Sequence, residues 1–165
     1  MTTHSRIDVT LDFRSDTPGY PKKDPDATRF ERLLDLVMCY RIFPPSLLTA
    51  TVCEADGRLK PGATVVQRIF LGAIGLESGV RVSECFDARQ AGVRSAGFEC
   101  RTLAGHPERG VERFTLTLLP EGQISFAIDS RSRLAAWYAR PGAPVARAIQ
   151  RRAVASALAY VSRAG

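Results

Sequence analysis

Phe114-Thr115-Leu116-Thr117-Leu118-Leu119-Pro120-Glu121-Gly122-Gln123-Ile124-Ser125-Phe126-Ala127-Ile128 is the stretch that decides the fold. Phe114, Leu116 and Leu118 alternate with threonines, and Ile124, Phe126 and Ile128 alternate with small residues. A period of two marks a strand with one buried face, and Pro120-Glu121-Gly122 is a turn that joins the two strands antiparallel. Reading outward from this hairpin, segments near 49–54, 63–71, 79–86, 93–102 and 111–119 are rich in β-branched and aromatic residues. Asp56-Gly57, Pro61-Gly62, Gly92 and the run Gly105 to Gly110 separate most of them, and Gly72-Ala73-Ile74-Gly75 reads as a bulge or turn. The spacing predicts six consecutive antiparallel strands over 49–130.

The flanks are different. Ile7, Val9, Leu11 and Phe13 alternate with polar residues and predict one more half-buried strand. Residues 15–27 hold three prolines and read as a loop. Thr28 precedes Glu31 by three, a capping-box pattern, and Phe30, Leu33, Leu34, Val37 and Met38 follow at helical spacing. Pro44-Pro45 is the expected stop. At the other end, Trp137 and Tyr138 belong to a short helical piece cut by Pro141-Gly142. A long helix is predicted over 145–162, with Ala146, Ile149, Ala153, Val154, Ala157, Tyr160 and Val161 on one side. Strand, helix, six strands, helix is satisfied by an α+β arrangement: a curved antiparallel sheet of about seven strands wrapped around the C-terminal helix. Where sheet and helix fail to meet, a pocket results.

The chain has 165 residues and a mass of 18.0 kDa, which suits a single domain spanning 1–165. Apolar residues at 45% and charged residues at 24% exclude a disordered chain, a collagen and a coiled-coil rod. No run of eighteen apolar residues occurs, and Met1 to Asp8 lack a signal-peptide core, so a cytoplasmic location is expected. Cys39, Cys53, Cys85 and Cys100 form no C-x-x-C pair and read as buried free thiols. The net charge of +6 is uneven: no acidic residue follows Asp129, and the last 35 residues hold seven arginines. Arg140, Arg147, Arg151 and Arg152 form a C-terminal stripe there. A solvated helix face is the favoured reading of that stripe, and a surface for phosphate, acidic lipid or nucleic acid is the other.

Few residues carry recognisable chemistry. His106 lies in Gly105-His106-Pro107-Glu108-Arg109-Gly110, followed by Glu112, and reads first as part of a structural turn. A histidine, carboxylates and an arginine this close also suit proton transfer or anion binding. Glu84 shares strand parity with Val80, Val82 and Phe86, Gln67 with Val65 and Ile69, and Glu99 with Val93 and Ser95. A polar group facing a core is costly unless paired or beside a cavity, so these positions are candidates for a ligand lining. There is no G-x-S-x-G elbow, no phosphate-binding glycine loop and no cluster with metal-ligand spacing. No cofactor is expected. The strands lack the exposed aromatics that nucleic acid would need, which disfavours that partner.

Three stretches resemble an uncharacterised family, domain of unknown function 1990. They are Tyr40-Arg41-Ile42-Phe43-Pro44-Pro45, the run from Gly97-Phe98 through Thr102-Leu103-Ala104-Gly105-His106-Pro107-Glu108-Arg109-Gly110 to Glu112 and Phe114, and a C-terminal set of Arg140, Gln150, Arg151, Arg152 and Tyr160. The sequence departs at Val111, where the family pattern looks acidic, and at Cys100, where an aromatic is usual. The resemblance implies the START-like, helix-grip fold, the same element order that periodicity gives. It implies no reaction.

Three functional readings follow. The first is a binding protein for a small apolar or lipid-like ligand between sheet and C-terminal helix, oriented by His106, Glu112, Glu84 and Gln67, none of them catalytic. The second is a cyclase- or hydrolase-like enzyme using His106 with Glu108 or Glu112 as acid and base. The third is a module that meets anionic membrane or RNA through Arg140, Arg147, Arg151 and Arg152. The sequence is silent on oligomeric state.

Overall fold

A computed structural model describes residues 3–11, 25–71, 74–106, 108–134, 155–157 and 159–161. Seven strands form one antiparallel sheet: β1 (Thr3–Leu11), β2 (Leu48–Val52), β3 (Thr64–Leu71), β4 (Ile74–Gln90), β5 (Val93–Thr102), β6 (Glu108–Leu118) and β7 (Ile124–Leu134). Their order is β1-β7-β6-β5-β4-β3-β2, so β2 to β7 are successive hairpins and β1 closes against β7. The opening hairpin is as read, with Phe114 opposite Ile128, Leu116 opposite Phe126 and Leu118 opposite Ile124. β3 and β4 pair as far as Leu71 opposite Ile74, and Gly72 and Ala73 of the expected bulge or turn lie outside the described residues.

One helix, α1 (Pro25–Met38), lies between β1 and β2. It begins three residues before the expected Thr28, with Pro25 in its first turn, where a missing N–H is not felt. It also ends earlier than Pro44-Pro45. The Tyr40 N–H donates to Val37 O at 3.1 Å and the Arg41 N–H to Leu36 O at 2.8 Å. These two bonds are a Schellman cap, and Tyr40 takes its left-handed position at φ 56°. Glycine normally occupies that position, so a tyrosine there is strained and carries no cap signature in the sequence.

Phe30, Leu33 and Val37 of α1 are fully buried, as the helical spacing requires. They join a single core with Val65, Val80, Val82, Phe98, Phe114, Leu116, Phe126 and Ile128 of the sheet. Helical backbone recurs at 155–157 and 159–161, and Ala157 and Val161 enter the same core. Spaced by four, they belong to the apolar side expected of the C-terminal helix. The architecture is the α+β helix-grip fold.

Two close approaches require glycine. A Cβ on Gly97 would lie 2.0 Å from Phe114 O, and one on Gly110 would lie 2.5 Å from Arg131 O. β4 carries a bulge between Val82 and Glu84, where the register with β5 shifts by one residue. The bulge bends the strand, and it changes which face every later side chain of β4 occupies.

Candidate functional site

The inner face of the sheet is largely apolar, with a charged cluster at one end, where Arg94 packs over Phe30 and pairs with Asp87 and with Glu31 of α1, and two groups of neutral or half-buried polar side chains elsewhere. Tyr40, held by the cap of α1, projects into the core and is 3% exposed. Its ring packs against Phe98 at 5.6 Å and meets Phe114 edge-on at 6.1 Å, and Phe98 and Phe114 stack at 4.7 Å. The Tyr40 hydroxyl accepts a hydrogen bond from Gln67 Nε2 at 2.6 Å. Gln67 Oε1 in turn accepts one from Ser78 Oγ at 3.2 Å. This chain crosses from α1 to β3 to β4, and Gln67 is buried.

A second polar group lies on β5 to β7. Cys100 stands opposite Glu112, and Glu112 stands opposite Ser130. Ser130 Oγ donates to Glu112 Oε1 at 3.3 Å. Glu112 is half-buried, while Cys100 and Ser130 are buried. The two groups feel one another electrostatically. Burial, then Cys100 and Glu112, push the Tyr40 hydroxyl well above the usual tyrosine range, against a smaller lowering by the Gln67 hydrogen bond. Burial, then Glu112 and Glu99, likewise raise the Cys100 thiol. Both groups are therefore neutral near pH 7, and Cys100 is not poised as a thiolate nucleophile.

The four residues read as a ligand lining are divided by the structure. Gln67 and Glu112 lie on the inner face and contribute to the two polar groups just described. Glu84 does not share the face of Val80 and Val82. The bulge places it opposite Glu99, 53% exposed, with Oε2 2.8 Å from Arg113 Nη1. Glu99 shares that outer face, accepts a hydrogen bond from Ser83 Oγ at 2.8 Å and lies 3.6 Å from Arg113.

His106 is half-buried in the loop between β5 and β6, where its N–H donates to Leu103 O at 3.2 Å. Leu103 N–H is bonded to Gly79 O at 2.9 Å, and Gly105 takes φ 89°, so the loop is a tied turn. Gly110 N–H donates to Thr102 Oγ1 at 3.0 Å just beyond it. An open groove of about 410 Å³ lies at this end of the hairpin, lined by residues 101–104 and 109–111. Arg140, Arg147, Arg151 and Arg152 lie outside the described residues.

All four cysteines are free: Cys100 is buried, Cys39 and Cys85 are half-buried, and Cys53 is exposed, contrary to its expected burial. Cys53 follows β2, whose burial alternates, and falls on the outward parity of that strand. Sequence pattern does not mark Tyr40, Ser78 or Ser130 as lining residues. Tyr40 lacks a periodic context because it sits in a helix cap, and serines on strands have no distinguishing pattern. Among the described residues no helix is long and apolar enough to cross a membrane.

A family model, a domain of unknown function termed DUF1990, matches residues 22–160. No curated protein matches the chain in sequence. Among solved structures, hypothetical protein jhp0584 from Helicobacter pylori superposes with a TM-score of 0.53 at 9% identity, covering 98% of this chain and 88% of that one. At that identity the likeness is one of fold alone. Ara h 8.0201 gives 0.49 at 9% identity, with 98% of each chain covered. A Thalictrum norcoclaurine synthase point mutant in complex with a transition-state analogue gives 0.48 at 10% identity, with 98% and 93% covered.

Proposed function

The chain belongs to the DUF1990 family, and we propose that it binds a small, largely apolar ligand on the inner face of its sheet, with Tyr40, Gln67 and Glu112 offering the hydrogen-bonding contacts. The observation that carries this reading is the pair of hydrogen-bonded groups, Tyr40–Gln67–Ser78 and Glu112–Ser130, set among the apolar side chains of the inner face. The backbone groups of the strands that carry Gln67, Ser78, Glu112 and Ser130 are paired in ladders on both sides, so the fold has no need of these side chains for that purpose. Burying them costs stability, which offsets part of what the surrounding apolar contacts provide. An apolar wall with a few placed polar groups is the composition of a small-molecule site. Tyr40 reaches this face only through a strained cap, and strain of that kind concentrates at binding and switch positions.

The polar groups differ in what they offer. Tyr40 stays neutral and bonds as a hydroxyl, Gln67 is an amide with both ends engaged, and Glu112 is a carboxylate with one oxygen held by Ser130. A ligand bearing a hydroxyl, amine or amide at one end and an apolar body would match them. Native mass spectrometry of protein purified from its own host tests the reading. The expected result is a population heavier than the polypeptide, and the added mass should fall in a Tyr40→Phe, Glu112→Gln double variant that remains folded. Bare polypeptide alone, together with no saturable binding of the apolar fluorophore anilinonaphthalene sulfonate, would overturn it.

A further inference from the structure

The outer face of the sheet holds an arrangement that the inner-face reading does not use. Arg81 on β4 stands directly opposite Arg101 on β5. Arg101 stands opposite Val111, and Val111 opposite Arg131 on β7. Arg109, two residues along β6 from Val111, stands opposite Arg133 in the ladder. Arg81, Arg101, Arg109 and Arg131 are all exposed. Like charges directly opposite on neighbouring strands are destabilising, and Arg81 and Arg101 form such a pair at one end of this face. Local rules are broken in this way where a site needs the residues for something else.

Neutralisation within the molecule is partial. Arg101 has Glu99 at 3.7 Å, a carboxylate it shares with Arg113, and Arg131 has Asp129 at 3.7 Å. Arg81 bonds the Thr64 hydroxyl at 3.2 Å. Among the described residues no carboxylate lies within ion-pair distance of Arg81 or Arg109. The four guanidiniums spread over β4 to β7, about 14 Å at ordinary strand spacing. Between Arg101 and Arg109 lies the open groove rather than a closed pocket.

We propose that this outer face is a docking surface for an acidic lipid bilayer, with Arg81, Arg101, Arg109 and Arg131 facing the headgroups. Their spread suits a field of anions, because they do not converge on one point as the donors of a single-phosphate site do. The face is poorly made for nucleic acid. Its aromatic rings among the described residues, Phe70 and Phe86, are each covered by an arginine, Arg68 at 5.7 Å and Arg113 at 4.1 Å. Covered rings cannot stack with bases, the contact on which single-strand binding depends.

Vesicle sedimentation of the full chain tests the proposal. The wild type should pellet with phosphatidylcholine vesicles containing roughly a third phosphatidylserine and not with phosphatidylcholine alone, and the binding should weaken as salt rises from about 50 to about 200 mM. Each arginine near an acidic surface strengthens binding by roughly fivefold. The Arg81→Gln, Arg101→Gln, Arg109→Gln, Arg131→Gln variant should therefore bind roughly several hundredfold more weakly, with its thermal midpoint within a few degrees of wild type. If that variant loses its fold, single substitutions at Arg81 and Arg109 serve instead and should each cost about fivefold. An Arg147→Gln, Arg151→Gln variant should bind as wild type does. Four results would each overturn the proposal: no binding to acidic vesicles, equal binding to neutral ones, loss of binding only in the C-terminal variant, or tighter binding to a single-stranded RNA of mixed sequence.

Discussion

The two faces of the sheet handle polar groups in opposite ways. On the inner face they are few and bonded to one another: Ser78 to Gln67, Gln67 to Tyr40, Ser130 to Glu112, and Arg94 to Asp87 and Glu31. On the outer face they are many, charged and exposed, and at one end the arginines outnumber, among the described residues, the carboxylates paired with them. Solvent explains the difference. Water screens exposed ion pairs to a small net value, so the outer face can change composition at little cost, whereas each buried polar atom must find a partner inside. Inner-face substitutions should therefore be felt in stability, and outer-face ones chiefly in what the surface attracts.

The largest expected effect tests the apolar half of the inner face. Phe114 is fully buried, stacks on Phe98 at 4.7 Å and supports Tyr40. Phe114→Ala should destabilise by about 3–5 kcal/mol in chemical denaturation. A loss under about 1 kcal/mol would mean the interior is loosely packed there, and Tyr40 would lose its account as a positioned group.

Next in size is the polar half. Tyr40→Phe keeps the ring and the cap but removes the acceptor of the Gln67 amide. With the donor stranded, a loss of about 1–3 kcal/mol is expected. Tyr40→Phe combined with Gln67→Leu should recover part of that loss, because an apolar pair leaves nothing unsatisfied. Additive losses in the double variant would show that the two side chains act separately.

Alkaline pH separates the faces by a third route. Burial raises the Cys100 thiol, so the unfolded chain releases this proton at a lower pH than the folded one. Its contribution to stability is complete below the unfolded value of about 8.5 and is lost as pH rises through the folded value. Over that window the slope from one such group is about 1.4 kcal/mol per pH unit. Cys100→Ala should flatten the decline by about that amount. Parallel curves for wild type and Cys100→Ala would contradict the assignment of a buried, neutral thiol.

The sequence was legible wherever a period persists. The hairpin of β6 and β7, the buried side of α1 and the placement of Ala157 and Val161 all follow from regular spacing. Legibility ended where one residue breaks the period. The β4 bulge has no glycine at Ser83 or Glu84 to mark it, so parity carried through from Val80 and Val82 misplaced Glu84. The cap of α1 uses a tyrosine where glycine is the usual sign. The band joining Tyr40, Gln67 and Ser78 depends on contacts 27 and 11 residues apart in sequence, which no local pattern reports.

Glu84 is where the smallest effect is expected and where the comparison is sharpest. Read by strand parity it belongs inside, and its removal there would strand a partner or empty part of a ligand site. In the structure it lies outside, 53% exposed, with its charge shared toward Arg113. Arg113 does not depend on it, since Glu99 lies 3.6 Å away and the guanidinium rests over Phe86. An exposed pair of this kind is worth about 0–1 kcal/mol, and salt reduces it further. Glu84→Gln should therefore shift stability by less than about 1 kcal/mol, and the shift should shrink in high salt. Binding of anilinonaphthalene sulfonate should be unchanged, in contrast with Glu112→Gln, which alters the inner face itself. A Glu84→Gln loss above about 2 kcal/mol, or a tenfold fall in fluorophore affinity, would return Glu84 to the interior and remove the bulge that divides the two faces.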